Sequence, residues 1–288
     1  MILVVDSGST KTDWIALDDQ ANVLFSTQTL GLNPQVLSSA ILNERIINNF
    51  DLFQNREKVS HIYFYGAGCG VETPIKRIEK VFSGIFINSK FSIKEDTYAA
   101  VYATTSPNEA AIVCILGTGS NCTYFDGKNI KQHVSSLGYV LMDEASGNFY
   151  GKQLIRAYYF KTMPAHLALK FEAEFDLNPD TIKENIYRKE NPNTYLAQFA
   201  KFIIENKEVP EMKAIINHGL QRFISHQIFQ FENAKQIPIH FIGSIAFYLK
   251  EELNEILIKN GLSLGNVVKR PIDGIVAYHK ELLDTSYL

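Results

Sequence analysis

The fold is decided by the stretch Val5-Asp6-Ser7-Gly8-Ser9-Thr10-Lys11-Thr12-Asp13-Trp14, in which a short apolar run turns on glycine and hydroxyl residues and then becomes apolar again. A second stretch of the same design reads Ile115-Leu116-Gly117-Thr118-Gly119-Ser120-Asn121-Cys122-Thr123-Tyr124. Each predicts a strand, a tight turn and a second strand. Glycine lets such a turn approach an anion closely, and the exposed N–H groups and hydroxyls can bind phosphate oxygens. Two copies predict a duplicated fold that holds a polyphosphate from two sides.

Composition limits the class of protein. The chain has 288 residues, of which 46% are hydrophobic and 20% are charged, as in a soluble globular protein with room for two domains. The net charge of −3 and the pI near 6.2 leave no basic excess to neutralise a nucleic-acid backbone. We therefore expect no nucleic-acid partner. A small anionic ligand is compatible with this charge, because its site needs only a few N–H groups and one lysine.

The cysteines and the apolar segments bear on location. Cys69, Cys114 and Cys122 form neither a disulfide framework nor a CxxC metal motif, which favours reduced thiols. Residues 2–5 predict a strand rather than part of a secretory signal. No apolar run reaches the roughly 18 residues that a membrane helix needs. We expect a cytoplasmic protein without a membrane partner.

Strands and helices alternate along the chain. In the first half, apolar patterns predict strands at 2–5, 13–17, 23–29, 61–65 and 91–94, and helices at 35–49, 74–82 and 97–104. The second half restarts the order with strands at 110–116, 121–125 and 130–134, and continues with a largely helical region at 146–232, a strand at 238–242, a helix at 245–259, a strand at 267–269 and a terminal helix from Pro271.

This order predicts an α/β fold with parallel strands and an early antiparallel meander. The polar turn Ser106-Pro107-Asn108-Glu109 predicts the domain boundary. We therefore expect one domain at 1–106, which carries the first loop. A second domain at 107–288 is expected to carry the second loop and a helical insertion.

Several separated motifs resemble the actin–hexokinase–Hsp70 ATPase superfamily, and more narrowly its N-acetylglucosamine kinase and BadF/BcrA-type branch. Residues 6–12 match the family's first phosphate loop, Asp-x-Gly-x-Thr-Lys-Thr, and residues 117–121 match its second, Gly-Thr-Gly-Ser-Asn. Residues 138–147 are similar to the family's sugar-binding segment, although Met142 and Ala145 replace its usual glycines. Phe241-Ile242-Gly243-Ser244 resembles the adenosine motif. The resemblance spans nearly the whole chain and implies two RNase-H-like domains, as in actin-like ATPases, flanking a nucleotide cleft.

The resemblance also implies roles for single residues. ATP would contact residues of both loops and of the adenosine motif, namely Asp6, Gly8, Ser9, Thr10, Lys11, Thr12, Gly117, Thr118, Gly119, Ser120, Gly243 and Ser244. Asp6 would in addition orient Mg²⁺ through water, because Mg²⁺ keeps several waters and takes few protein carboxylates. Asp96 stands where the family has its catalytic base. The sugar would contact Asn33, Asn121, Asp143 and Glu144.

Each of these residue types also has a simpler structural explanation. Asp96 suits the N-cap of the helix expected from residue 97. Asp143 and Glu144 suit the first turn of a helix, where acids complement the helix dipole. Asn33 and Asn121 suit turns. The substituted glycines of the sugar segment bear on the acceptor more than on the nucleotide.

The function that we expect is ATP-dependent transfer of the γ-phosphate to a hydroxyl of an amino sugar, with N-acetylglucosamine and its O6 as the first choice. One alternative keeps the kinase but changes its acceptor to glucosamine, N-acetylmuramic acid or an anhydro sugar. Another is a non-kinase BadF/BcrA-type ATPase, in which cysteines of two subunits ligate an iron–sulfur cluster. A homodimer is compatible with the sequence, which does not give the oligomeric state.

Overall fold

The computed structural model describes residues 1–8, 10–106 and 109–285, with side chains as far as Glu281. The chain forms two compact units. The first holds Met1–Ala103 and the chain from Arg270 onward, and the second holds Thr104–Lys269. Each unit has a buried central strand, β1 (Ile2–Ser7) in the first and β6 (Ala111–Leu116) in the second. Burial on both faces explains why these two runs are apolar throughout.

The first unit is built on a mixed sheet. Besides β1 it contains β2 (Lys11–Leu17), β3 (Val23–Leu30), β4 (His61–Gly66) and β5 (Lys90–Glu95). In the residues described, their order across the sheet is β3-β2-β1-β4-β5. The first three strands form an antiparallel meander, and β4 and β5 run parallel to β1. The helices of this unit are α1 (Ser39–Ile47), α2 (Phe50–Asn55), α3 (Glu72–Ile85), most of α4 (Asp96–Thr104) and α13 (Pro271–Thr285).

The second unit repeats this topology. Besides β6 its sheet contains β7 (Ser120–Phe125), β8 (Ile130–Lys131), β9 (Ile239–Ile242) and β10 (Leu264–Val268). Within the described part of the chain the order is β10-β9-β6-β7-β8, with the same antiparallel meander and parallel strands. The predicted duplication and the RNase-H-like fold of each half are therefore confirmed.

The helices of the second unit are α5 (Gly147–Tyr159), α6 (Ala165–Glu174), α7 (Pro179–Tyr187), α8 (Pro192–Ala197), α9 (Ala200–Glu205), α10 (Pro210–His226), α11 (Ser244–Tyr248) and α12 (Lys250–Lys259). The run from α5 to α10 is the predicted helical insertion. Among the described residues, no helix combines the length and the apolar character that crossing a bilayer requires.

The terminal helix α13 belongs to the first unit, whereas the sequence led us to expect residues 107–288 as one domain. Ile272 and Ile275 of α13 are fully buried against Val4 of β1 and Ala99 of α4. The helix therefore covers one face of the first sheet. Its apolar pattern predicts a buried helix but does not indicate which sheet it covers, and this is why the expected boundary differs from the observed division.

The first helical region differs from the predicted single helix at 35–49. The Asn33 side chain accepts a hydrogen bond from the Gln35 N–H at 2.9 Å, and this turn delays the helix. Helix α1 then begins after its N-cap Ser38. A second helix, α2, begins after Asn49, whose side chain accepts from the Leu52 N–H. Two N-caps in one apolar pattern thus divide the region into two helices.

Candidate active site

Parallel pairing places the carboxyl ends of β1, β4 and β5 at one edge of the first sheet. Asp6 pairs in register with Tyr65, which pairs with Lys94. One residue further on, Ser7 pairs with Gly66, and Gly66 with Glu95. The first loop and the acid Asp96 both follow this edge, where open α/β sheets bind their ligands.

The first loop is held by a chain of hydroxyl groups at its base. The Leu32 N–H donates to Ser7 Oγ at 3.0 Å, Ser7 Oγ lies 2.8 Å from Thr12 Oγ1, and Thr12 Oγ1 donates to the Leu30 carbonyl at 3.2 Å. This polarity makes Ser7 the donor to Thr12. Thr12 is fully buried, so its hydroxyl fixes the loop. The expected contact between Thr12 and phosphate is not supported by this arrangement.

Lys11 is paired within the first unit. Its ammonium lies 2.8 Å from Asp13 Oδ2, and the Gln28 amide donates to Asp13 Oδ1 at 2.5 Å. Asp13 is only 5% exposed, whereas the Lys11 side chain is 52% exposed. The charge expected on phosphate is thus balanced by a carboxylate that our sequence analysis did not single out. β2 places Lys11 and Asp13 on the same face, since strand side chains alternate.

The other residues of the first loop lie as follows. The Gly8 N–H donates to the Lys11 carbonyl at 3.0 Å and closes the turn. Thr10 is exposed, and its carbonyl accepts from the Gly31 N–H at 3.0 Å. Ser9 lies outside the described residues.

Asp96 lies close enough to Asp6 for its charge to raise the pKa of Asp6. Burial raises the pKa of Asp6 to about 7, helped by the negative charges of Asp96 and Asp13 and opposed by Lys11 and Arg270. Burial and the charge of Glu95 raise the pKa of Asp96 to about 6, while N–H groups at the start of α4 oppose the shift. Asp96 is the first residue of α4, whereas the capping role places it just before the helix, so the helix begins one residue earlier than expected. Both carboxyl groups therefore titrate near neutral pH.

This acidic edge suits a hydrated magnesium ion better than a protein-only metal cage. Among the described residues, no group of three His, Cys, Asp or Glu side chains is placed to hold a metal. Mg²⁺ is usually bound by one or two carboxylates, several waters and substrate phosphates. The crowding of Asp6 with Asp13 and Asp96 would be relieved by a cation. The residues present therefore fit a water-mediated magnesium site beside Asp6.

The second loop is fastened to the start of α5. The Gly147 N–H donates to the Gly117 carbonyl at 2.8 Å, and the Asn148 N–H donates to the Thr118 carbonyl at 3.0 Å. Within the loop the Gly117 N–H donates to the Gly119 carbonyl at 3.0 Å. The Ser120 hydroxyl is buried and has no hydrogen-bond partner among the described residues.

Asp143 packs against this loop, close to Gly119. It is 7% exposed and accepts hydrogen bonds from the Asn148 side chain at 2.9 Å and from the Ser120 N–H. Burial raises its pKa, and these two hydrogen bonds oppose the shift. A Cβ at Gly119 would lie 2.8 Å from Asp143 Oδ2. The loop can therefore approach the carboxylate only with glycine at 119.

Glu144 does not share that position. Its Oε1 lies 2.7 Å from the Arg222 guanidinium, and its side chain is 13% exposed. Arg222 comes from α10, far away in sequence, so this ion pair could not be read from the local motif. The ion pair joins the segment after β8 to α10, while Glu144 Oε2 is buried without a hydrogen-bond partner among the described residues. A sugar contact of Glu144 stays a prediction.

The two asparagines expected at the sugar are half-buried at the edges of the loops. Asn33 uses its side-chain oxygen in the turn with Gln35, and a Cβ at Gly68 would collide with that oxygen. Gly68 has a φ of +79°, so this turn needs glycine for both its backbone conformation and its packing. Asn121 accepts a hydrogen bond from the Gln132 side chain at 3.2 Å.

The adenosine motif lies against the second loop. Gly243 has a φ of +117°, and a Cβ there would collide with the Leu116 carbonyl at the end of β6. Its N–H donates to the Val268 carbonyl at 2.9 Å. Ser244 is exposed and begins α11. The structure thus brings residues 243 and 244 to the same strand edge as residue 117.

Comparison with solved structures identifies the family. A candidate N-acetylglucosamine kinase from Porphyromonas gingivalis is 34% identical, with a TM-score of 0.90 over 98% of this chain and 99% of its own. The chain belongs to the N-acetylglucosamine kinase family. The predicted family and the carbohydrate-kinase class are therefore confirmed. A scan of family models and a search of curated proteins find no match to this sequence.

Two more distant structures share the fold of this N-acetylglucosamine kinase family member. A candidate N-acetylglucosamine kinase from Chromobacterium violaceum is 16% identical, with a TM-score of 0.69 over 96% of this chain and 97% of its own. A ROK family glucokinase from Streptomyces griseus, in complex with glucose and AMPPNP, is 11% identical, with a TM-score of 0.61 over 95% of this chain and 96% of its own. At these identities the likeness concerns the fold.

Proposed function

We propose that this protein transfers the γ-phosphate of ATP to the O6 hydroxyl of N-acetylglucosamine. The observation that carries the proposal is the place of Asp96, which follows β5 at the sheet edge that also bears Asp6 and the first loop. Phosphoryl transfer to an alcohol needs a phosphate cradle and one carboxylate that accepts the hydroxyl proton. The family supports a carbohydrate as the alcohol.

For ATP, we propose contacts from both loops. In the first unit these are backbone N–H groups of the loop and the Thr10 hydroxyl, together with Ser9. In the second unit they are residues 117–120, with Gly243 and Ser244 toward the adenosine. Support comes from the shared topology of the two loops and from glycines that leave their backbones open. When bound through water beside Asp6, Mg²⁺ would neutralise charge on the phosphates.

Asp96 acts as the general base in this proposal. Its carboxylate accepts the proton of the sugar hydroxyl as that oxygen bonds to the γ-phosphorus and the bond to the ADP oxygen breaks. A pKa of about 6 leaves Asp96 ionised at neutral pH, yet more basic than an exposed aspartate. A base is most effective when its pKa lies near the working pH.

For the sugar, we propose contacts from Asn33, Asn121 and Asp143. The carboxylate of Asp143 already accepts two protein hydrogen bonds, but a carboxylate has about four lone-pair sites, so lone pairs are left for sugar hydroxyls. Ala145, which replaces a glycine of the sugar segment, has a φ of +58°. Its backbone thus keeps a glycine-like conformation, which supports an acceptor like that of the family.

Burial of the cysteines speaks against an iron–sulfur ATPase. Cys69, Cys114 and Cys122 are each at most 2% exposed, whereas ligands of a cluster shared between subunits have to reach the protein surface. The experiment that tests the acceptor is an ADP-release assay over N-acetylglucosamine, glucosamine, N-acetylmuramic acid and an anhydro sugar. We expect the highest kcat/KM with N-acetylglucosamine. A higher kcat/KM with another of these sugars would show that this sugar, rather than N-acetylglucosamine, is the acceptor. Equal ADP release without any sugar would show that the protein is an ATPase rather than a kinase.

A further inference from the structure

We propose that Asn148 is a positioning residue, which orients the second loop so that the N–H groups of Thr118 and Gly119 face the phosphates. The inference rests on the proposed function and specifies how the loop would serve it. Asn148 is the second residue of α5 and is fully buried. Its side-chain amide nitrogen donates to the Thr118 carbonyl at 2.7 Å and to Asp143 Oδ2 at 2.9 Å.

The first step is the direction of the loop peptides. In a trans peptide the carbonyl and the N–H of one plane point in opposite directions. Helix α5 holds the Gly117 and Thr118 carbonyls through the N–H groups of Gly147 and Asn148. The N–H groups of Thr118 and Gly119 belong to the same two peptide planes. They must therefore point away from α5.

The second step is to ask which donors of the loop are left for a ligand. The Gly117 N–H is used by the Gly119 carbonyl, and the Ser120 N–H is used by Asp143. No hydrogen bond from the N–H of Thr118 or Gly119 is seen among the described residues. These two adjacent donors, with the buried Ser120 hydroxyl beside them, form a small cradle for an anion.

The third step singles out Asn148 among the groups that hold the loop. The first N–H groups of any helix lack partners within the helix, and Ser146 caps only that of Phe149. Asn148 adds a side-chain donor to the Thr118 carbonyl and joins that carbonyl to Asp143. Its own Oδ1 is buried without a partner among the described residues, which is unfavourable for stability. An apolar side chain at position 148 would avoid burying an unpaired oxygen, but it would leave the Thr118 carbonyl with only one hydrogen-bond donor.

The test compares binding of AMPPNP with binding of AMP by calorimetry with Mg²⁺ present, because under the proposed function only AMPPNP has β- and γ-phosphates that would contact the loop. In Asn148→Asp the donor becomes an acceptor that repels both Thr118 O and Asp143. We expect the ratio of the Kd for AMP to the Kd for AMPPNP to be about tenfold lower in this variant than in the wild-type protein. Asn206→Asp is the matched control, since Asn206 Nδ2 donates to the Phe202 carbonyl at 2.7 Å elsewhere in the same unit. It should keep the wild-type preference.

An unchanged preference in Asn148→Asp would overturn the inference, while a wild-type protein without any preference would already overturn the nucleotide part of the proposed function. Asn148→Leu has a similar side-chain volume and introduces no charge, so it keeps the test valid if the aspartate variant misfolds. The same loss of preference is expected for it.

Hydrogen exchange of the wild-type protein is an independent readout. AMPPNP should protect the Thr118 and Gly119 amides, whereas the Gly147, Asn148 and Ser120 amides should be protected without it. Fast exchange of Thr118 and Gly119 in saturating AMPPNP would contradict the inference.

Discussion

At the scale of single residues, the proposed chemistry depends on the acids at the edge of the first sheet. Parallel pairing of β1, β4 and β5 brings Asp6 and Asp96 near each other, and the negative charges of Asp96 and Asp13 raise the pKa of Asp6. Such crowding is unfavourable for stability and useful for binding a cation and accepting a proton. Asp96 also begins α4. Asparagine keeps the size of this side chain and its side-chain oxygen as an acceptor, but it cannot act as a base, so Asp96→Asn separates the place in the helix from proton transfer.

We expect Asp96→Asn to lower kcat by about 10²–10⁴-fold, the usual contribution of a general base, with little change in KM for ATP. Steady-state ADP release in the presence of N-acetylglucosamine measures this. Asp180→Asn is the matched control, since Asp180 is an exposed acid in the first turn of α7. A kcat for Asp96→Asn within a few-fold of the wild-type value would show that Asp96 is not the general base.

The second residue-scale prediction concerns pH. Because Asp96 must be ionised to accept a proton, kcat/KM should rise with pH through a midpoint near its pKa of about 6. The charge of Glu95 raises the pKa of Asp96, so Glu95→Gln should move the midpoint to lower pH. A pH–rate profile of both proteins checks the shift. A midpoint that stays in place or rises would show that another group controls the rate.

The residue scale is also where the sequence motif is least informative. The positions of Asp6 and Asp96 near the ends of β1 and β5 followed from the apolar runs and the loop motif, while their roles stay predictions. The partners of Lys11, Thr12 and Glu144 did not follow, since strand pairing and helix packing bring Asp13, Leu30 and Arg222 to them. Asn148 was missed for the same reason. A motif gives the residue type at a position, but only the fold shows which other protein group forms a hydrogen bond or ion pair with that residue.

At the scale of elements, the junction of β6, the second loop and α11 is packed through glycine. Gly243→Ala should lower the free energy of unfolding by more than 1 kcal/mol, because the methyl group would collide with the Leu116 carbonyl at a positive φ. Gly84→Ala is the control, since a Cβ there meets nothing within 4 Å in α3. That change should stabilise by about 0.5–1 kcal/mol. Chemical denaturation measures both, and equal effects of the two changes would refute the packing argument.

The order and type of most elements followed from the sequence. Buried strands such as β1 and β6 show unbroken apolar runs, and each loop follows one of them. The division of the first helical region into α1 and α2 did not follow. It depends on the Asn33 turn and on the Ser38 and Asn49 caps, which compete with an apolar pattern that continues through them.

At the scale of the whole molecule, the chain returns from the second unit to complete the first. Ile275 of α13 is buried in the first unit. Ile275→Ala should cost about 2–5 kcal/mol and should raise hydrogen exchange in β1 and α4 while leaving β6 and β9 unchanged. Ile258→Ala, at a position 64% exposed in α12, is the control. Increased exchange confined to β6 and β9 would show that α13 packs on the second sheet, and would contradict this account.

The duplicated topology and the family could be predicted at this scale, because two matching loops open two matching strand orders. The place of α13 could not, since an amphipathic helix near the end of the chain fits either sheet.

The most direct measurement is mass spectrometry of a reaction that contains the protein, ATP, Mg²⁺ and N-acetylglucosamine, with ADP measured in parallel. The account predicts one N-acetylglucosamine phosphate for each ADP formed, with the phosphate on O6 by phosphorus-coupled NMR. ADP formed without a phosphorylated sugar, or no nucleotide consumption with any of the four candidate acceptors, would contradict it.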